Sequence, residues 1–146
     1  MEIRVMGVDD YEGVYQLWLD TPGMGLNTSD DSRDGIEKYL RRNPHTSFVA
    51  IEGGVIVGVI MAGHDGRRGF IHHTAVRGSE QGKGLGSALL DAAMDALEEE
   101  GINKVAMVVF DRNEQGNAFW ERRGFTTRAD LVYRNKNINP LVQIDT

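Results

Sequence analysis

Phe70-Ile71-His72-His73-Thr74-Ala75-Val76, followed shortly by Gln81-Gly82-Lys83-Gly84-Leu85-Gly86, is the stretch that decides how this chain folds. The first run is rich in β-branched and aromatic residues and reads as a strand. Beyond the glycines, Leu85, Leu89, Ala93 and Leu97 recur at four-residue steps, the period of one helix face. Glycines in a strand-to-helix turn leave backbone N–H groups unobstructed, and the helix adds the partial positive charge of its N-terminus. Together they make a site for a phosphate or pyrophosphate. A nucleotide-hydrolase loop would end in Gly-Lys-Ser/Thr, but Lys83 is followed by Gly84. A dinucleotide fingerprint needs Gly-x-Gly-x-x-Gly, whereas Gly82, Gly84 and Gly86 fall at every second position. The phosphorylated group expected here is of another kind.

Working outward from that stretch, Val105 to Phe110 reads as a buried strand, and Asp111-Arg112-Asn113 as a turn into a helix. Upstream, Phe48 to Glu52 and Val55 to Gly63 are strands joined by Gly53-Gly54, a two-residue hairpin signal. Asp65 to Gly69 then turns into the histidine-bearing strand. Ile3 to Met6 should form an edge strand. Asp9 or Asp10 should cap a helix to about Leu19, with Val14, Leu17 and Trp18 facing inward. After the break at Thr21 to Gly25, Ser29 to Asp31 offers a cap for a second helix through Arg42, stopped before Asn43-Pro44. The order strand–helix–helix–strand–strand–strand–helix–strand–helix–strand gives an α/β fold, a mixed sheet with helices on its faces. Gly101 should be the C′ glycine of the helix that ends in Glu98-Glu99-Glu100, carboxylates read as a solvated face and not as a metal site. Residues 135–146 have poor periodicity and are expected to be a flexible tail of one domain spanning 1–146.

A chain of 146 residues is long enough to bury a core, and no apolar run approaches the roughly 20 residues of a membrane span. The N-terminus does not read as a secretory signal, since Asp9, Asp10 and Glu12 follow at once. The absence of cysteine excludes disulfides, thiolate metal sites and a cysteine nucleophile, and fits the cytoplasm. A formal charge of −6 argues against nonspecific nucleic-acid binding, which depends on neutralising phosphates; it is compatible with a cationic partner but reads first as the ordinary solubility of an acidic protein. No two histidines show helix-spaced ligand geometry, so no metal is expected.

Gln81, Gly84 and Gly86, preceded by Thr74-Ala75-Val76, resemble the coenzyme A loop of the GNAT superfamily of N-acetyltransferases, written Gln/Arg-x-x-Gly-x-Gly/Ala after a Leu-Ala-Val strand end. Asn113, Phe119-Trp120 and Gly124-Phe125 resemble the family's second element, Asn-(x)5-aromatic-Tyr-(x)3-Gly-Phe. The likeness covers about residues 48 to 133. Asp65-Gly66-Arg67-Arg68-Gly69 looks like the turn of the YpeA-like branch. The resemblance implies a mostly antiparallel sheet with a splayed strand pair for coenzyme A, and acetyl transfer from acetyl-CoA to an amine of a small molecule or protein. It implies cofactor contacts from Thr74, Ala75, Val76, Gln81, Gly82, Lys83, Gly84, Leu85, Gly86, Ser87, Asn113 and Trp120. Lys83 either adds charge toward an outer phosphate or is simply solvated. Residues 21 to 29 either contribute to the acceptor side, as in the family, or only connect. Monomer and homodimer both stay open.

The chemistry such a site must solve is the charge on the amine. A lysine-type ammonium is neutral about one time in a thousand near pH 7.4, and only the neutral form attacks a thioester. The resemblance implies that the Val76 N–H stabilises the oxyanion. The tyrosine many relatives use as acid falls at Trp120, read as a packing residue walling the thioester side, and the glutamate used by ribosomal-protein alanine acetyltransferases falls at Val108. The base candidates left are His72, His73, His64 and Glu52. His72 should share a strand face with Phe70, Thr74 and Val76. It is similar in offset to the strand histidine of arylalkylamine N-acetyltransferases, and an imidazole suits base work at neutral pH. It is therefore the leading candidate, with a half-buried structural histidine as the other reading, and His73 should face the opposite side. The alternative function is a catalytically weak acyl-CoA-binding or sensing module.

Overall fold

The computed structural model describes residues 1–144. Its elements run β1 (Glu2–Val5), a 3-10 turn (Val8–Asp10), α1 (Tyr11–Leu19), β2 (Leu26–Asn27), α2 (Arg33–Arg42), β3 (Phe48–Glu52), β4 (Val55–His64) and β5 (Gly69–Val76). A second 3-10 turn (Gly78–Glu80) leads to α3 (Leu85–Glu99), β6 (Val105–Met107), α4 (Glu114–Arg122) and β7 (Gln143–Ile144). Five strands form one sheet in the order β1-β3-β4-β5-β6. All its pairings are antiparallel except β5 with β6. That one parallel pair is joined by α3, because a parallel connection needs a crossover long enough to hold a helix.

Packing explains why β4 reads as a continuous apolar run. Residues 57–63 of β4 are all buried, as expected for a strand covered on both faces. On one face lie Leu85, Leu89, Leu90, Ala93 and Leu97 of α3, with Trp120 of α4, against Ile60, Ala62 and Ile71. On the other lie Val14, Leu17 and Trp18 of α1 and Ile36 and Leu40 of α2, against Val49, Val59, Met61 and Ala75. Gly58 lets α3 sit close: a Cβ there would lie 2.9 Å from Leu89 Cδ1. Gly101, at φ 84, follows the end of α3 as its C′ glycine.

Four local expectations change. The α2 cap is Ser32, whose hydroxyl accepts from the Gly35 N–H at 3.0 Å, and not a residue of 29–31. Asp10 precedes α1 without capping it, because its carboxylate is taken by the Gly7 N–H at 2.8 Å and by Arg4. The strand expected through Phe110 is paired only over Val105–Met107. Beyond Met107 the chain turns toward the first loop: a Cβ on Gly25 would lie 3.2 Å from Phe110 Cζ. No strand follows Phe125 directly, and 125–142 form neither helix nor strand. Instead β7, inside the segment expected to be a flexible tail, pairs antiparallel with β2. Ile144 anchors it by packing on the core between α1, α2 and the sheet. Residues 145–146 of that tail lie outside the described residues.

Candidate active site

The site begins with an irregularity in β5. Val59 pairs with Ala75 and Met61 with His72, so His73 and Thr74 together face Ile60. This is a β-bulge. It reverses the alternation of the strand, and the hydrogen bonds show the consequence. The Arg77 N–H donates to Val57 O in β4 at 2.8 Å, so the Val76 N–H, one residue earlier, points to the opposite edge. On that edge the last pair of β5 with β6 is Ile71 with Met107. Residues 72–76 thus border a gap with unpaired backbone, the splayed strand pair expected. The Val76 carbonyl is held by Gln81 Nε2 at 3.1 Å, which ties the glycine loop to the strand end.

Gly82 and Gly84 both have positive φ, 79° and 82°, and a Cβ on either would meet nothing within 4 Å. The loop therefore turns in a conformation that favours glycine and leaves open space over its backbone at the N-terminus of α3. Leu85 anchors it from below, in the core. Gly86 sits under the Phe119 ring, with a Cβ position 3.3 Å from Cε1. Open N–H groups, two glycines without steric cover and a helix N-terminus fit a pyrophosphate. Lys83 is largely exposed, with Nζ 3.4 Å from Glu80 Oε2, so its charge is partly spent on a neighbour.

Asn113 and Trp120 have structural work. Asn113 caps α4, its Oδ1 accepting from the Gly116 N–H at 2.9 Å. Trp120 is 7% exposed and packs edge-on against Phe119 and Phe125, within the core cluster on the α3 face. The aromatic ring beside the loop is Phe119, which the sequence offers as part of the second family element but not as a cofactor contact.

The four base candidates separate cleanly. His64 lies at the other end of β5, beside Gly69, with Nε2 2.8 Å from Glu100. The acidic end of α3 is therefore not wholly a solvated face. Glu52 is in β3 and meets the N-terminal ammonium at 3.3 Å. Neither borders the gap. His72 and His73 do, and the bulge corrects their expected facing. His72 packs against Phe70 and edge-on to Tyr39 of α2, on the face of α1 and α2, while Val76 packs toward α3. His73 faces the α1–α2 side too: its ring is edge-on to Trp18 of α1, at 5.0 Å, and its Nε2 is 2.8 Å from Asp31 Oδ1. One extra residue in the strand puts both histidines on one side.

Burial, followed by the neighbouring His73, holds the His72 imidazole below its ordinary pKa, so it is neutral at pH 7. No side-chain hydrogen bond fixes its tautomer among the described residues. Asp31, read as a helix cap in the sequence, is instead 3% exposed and receives both His73 and the Asn27 N–H. Nothing in the sequence separates it from Ser29, Asp30 and Ser32 as a cap. Among the described residues no three His, Cys, Asp or Glu side chains gather as a metal site. No helix there is long and apolar enough to cross a membrane.

Residues 11–125 match the model of the Acetyltransferase (GNAT) family. This chain belongs to that family. It is 32% identical over 138 residues to an acetyltransferase of Pectobacterium atrosepticum, covering 94% of this chain and 96% of the relative. Among solved structures it resembles Ard1 from Thermoplasma volcanium, with a TM-score of 0.76 and 26% identity, covering 88% of this chain and 84% of the other. The PaiA N-acetyltransferase from Thermoplasma acidophilum, solved in complex with coenzyme A, shares the fold with a TM-score of 0.71 at 14% identity, covering 97% and 96%. The chain is thus a GNAT acyltransferase, an N-acetyltransferase that uses acetyl-CoA.

Proposed function

We propose that this acetyltransferase acetylates a primary amine by direct attack, with amine and acetyl-CoA held together in the gap beside β5. The observation that carries the reading is the reversed alternation at His73-Thr74, which leaves the Val76 N–H unpaired by the sheet next to an open glycine loop. In this reading the Thr74–Val76 edge takes the pantetheine amides as a strand would, and residues 81–87 take the pyrophosphate. The Val76 N–H donates to the carbonyl oxygen as charge builds on it. Holding the two reactants in register supplies much of the rate, since well-oriented reactions reach effective molarities of about 10⁵ M or more.

The acceptor side is acidic. Asp30 and Asp31 stand in the loop before α2, and both favour a positive charge at His72. Phe110 lies against Gly23 and Gly25 and brings the 21–29 loop to the mouth of the gap. An ammonium-bearing acceptor fits this field. The direct test is thiol release from acetyl-CoA with a diamine, an alanine-initiated hexapeptide and an aminoglycoside. Amine-dependent release with an acetylated product is expected. Release of CoA at the same rate with and without every amine would overturn the reading.

A further inference from the structure

We propose that His73 is the catalytic base and that the buried Asp31 is its positioning residue, in place of the His72 expected from strand alternation. This deepens the reading of the bulge as the acetyl-transfer site and rests on it. His73 is the only non-glycine among the described residues with positive φ, at 26°. Such a conformation persists only where the surroundings hold it. Here two buried groups do so. Trp18 Nε1 donates to the His73 carbonyl at 3.2 Å, and Asp31 Oδ1 accepts from His73 Nε2 at 2.8 Å. The Asp31 side chain is 4% exposed, that of His73 17%.

The tautomer follows from the partners of Asp31. Its carboxylate receives the Asn27 N–H on Oδ2 at 2.8 Å and the imidazole on Oδ1. An ionised carboxylate only accepts, so in the neutral form of the ring Nε2 carries the hydrogen and Nδ1 the lone pair. His73 Nδ1 makes no hydrogen bond to the described residues. It is not sealed from solvent either, since the buried side-chain atoms there without a partner are Tyr39 Oη and Arg77 Nε. His73 therefore presents a free acceptor nitrogen on a ring fixed from behind, and the aspartate stabilises the imidazolium once formed. His72 has open ring nitrogens as well, but no carboxylate orients them. The ionisable groups around His73 and Asp31 are Asp30 of the same loop, His72 beside His73 in β5, Tyr11 of α1, whose hydroxyl donates to the Asp31 carbonyl, and Tyr39 of α2, which faces His72.

The proton accounting is simple. The acceptor ammonium gives one proton to Nδ1, which passes it to water. The neutral amine nitrogen then bonds to the thioester carbonyl carbon, and the C–S bond breaks with its electron pair going to sulfur. The second proton lost from that nitrogen neutralises the thiolate.

Asp31→Asn tests the arrangement without removing the imidazole. The Asn27 N–H requires the new amide oxygen to face it, which turns the NH2 toward Nε2 and forces the hydrogen onto Nδ1. A comparable aspartate-to-asparagine change in a serine-protease triad costs catalysis by imposing the wrong tautomer. The experiment uses the full chain and compares wild type, His73→Gln and Asp31→Asn. Two-bond ¹H–¹⁵N spectra at pH 7.5 read the tautomer, a thermal melt with CoA reads fold and cofactor site, and acetyl transfer to the amine panel reads turnover. The expected result is an Nε2–H tautomer in wild type, an Nδ1–H tautomer in Asp31→Asn, and kcat about 10²-fold lower in both variants. The melt shift with CoA and the KM for acetyl-CoA should change less than twofold. Loss of the CoA shift in wild type would instead remove the transferase reading itself. An Nδ1–H tautomer in wild type overturns the proposal even if no amine reacts or the variants fail to fold. So does an undiminished kcat in His73→Gln, or a fall in Asp31→Asn with the tautomer unchanged.

Discussion

At the scale of single residues, the contrast between His72 and His73 turns on what surrounds each ring. His72 is enclosed by Phe70 and Tyr39, and burial opposes its charged form. Its native pKa lies below 6.5, so in the interval between the two the unfolded chain binds a proton that the native chain does not. Stability from this group is therefore complete above about pH 6.5 and is lost as the pH falls through that interval. Urea unfolding of wild type and His72→Phe at pH 7.5 and 5.5 checks the sign. A smaller loss on acidification is expected in the variant, and an equal loss would show that His72 is not protected from protonation. A half-buried structural histidine was one of the two readings of the sequence, but the face on which His72 lies relative to Val76 was not legible. A pairing rule of two residues per repeat places His72 and Val76 on one face, and only the extra residue opposite Ile60 shows otherwise. That Trp120 packs and supplies no proton was legible, because an indole in place of a phenol has no acid to offer. Its enclosure by Phe119 and Phe125 needed the packing.

At the scale of elements, α2 and the loop before it form the frame that holds Asp31. Gly35 allows this. A Cβ there would overlap the backbone carbonyls of Ser29 and Asp30, so the loop could not fold back onto the helix with any larger residue. Gly35→Ala should therefore destabilise the chain by about 1–3 kcal/mol, the range for forcing extra volume into a packed site. Chemical denaturation measures it, and a change below a few tenths of a kcal/mol would show that the loop shifts freely. Helices and strands with strong periodicity were readable: α3 from its four-residue apolar repeat, β3 and β4 from the Gly53-Gly54 hairpin. The N-cap of α2 was not, because several Ser and Asp residues in a row offer the same chemistry, and tertiary demand chose Ser32 for the helix and Asp31 for the histidine. The last strands were misjudged for a related reason. Val108 to Phe110 are apolar enough to extend β6, yet the chain there leaves β5 and turns toward Gly23 and Gly25.

At the scale of the whole molecule, one strand carries the geometry on which the proposed reaction rests. β5 is paired on one edge to β4 for support, while the bulge opens its other edge. The glycine loop and α3 lie beyond the strand end, and α1, α2 and the β2–β7 pair pack on the face that carries His72 and His73. The glycine turn into α3 was legible because it depends on local chemistry: glycines in sequence, followed by a helix. Contacts between distant segments, such as Asp31 with His73 and Leu26 with Ile144, follow no local pattern and emerged only from the fold. The most direct measurement of the central claim, that acetyl-CoA is held between the β5 gap and the glycine loop, is the thermal melt of wild type and Gly84→Glu against CoA concentration. A ligand bound only by the folded chain adds about 2.7 kcal/mol at a hundredfold excess over Kd, which corresponds to a rise of roughly 5–10 °C for a chain of this length. The wild-type melt should climb accordingly. Gly84→Glu should show no rise, since it places a carboxylate where the loop backbone must meet phosphate and a side chain at φ 82°. A folded wild type that does not shift at millimolar CoA, or a Gly84→Glu variant that shifts as wild type does, would contradict the site.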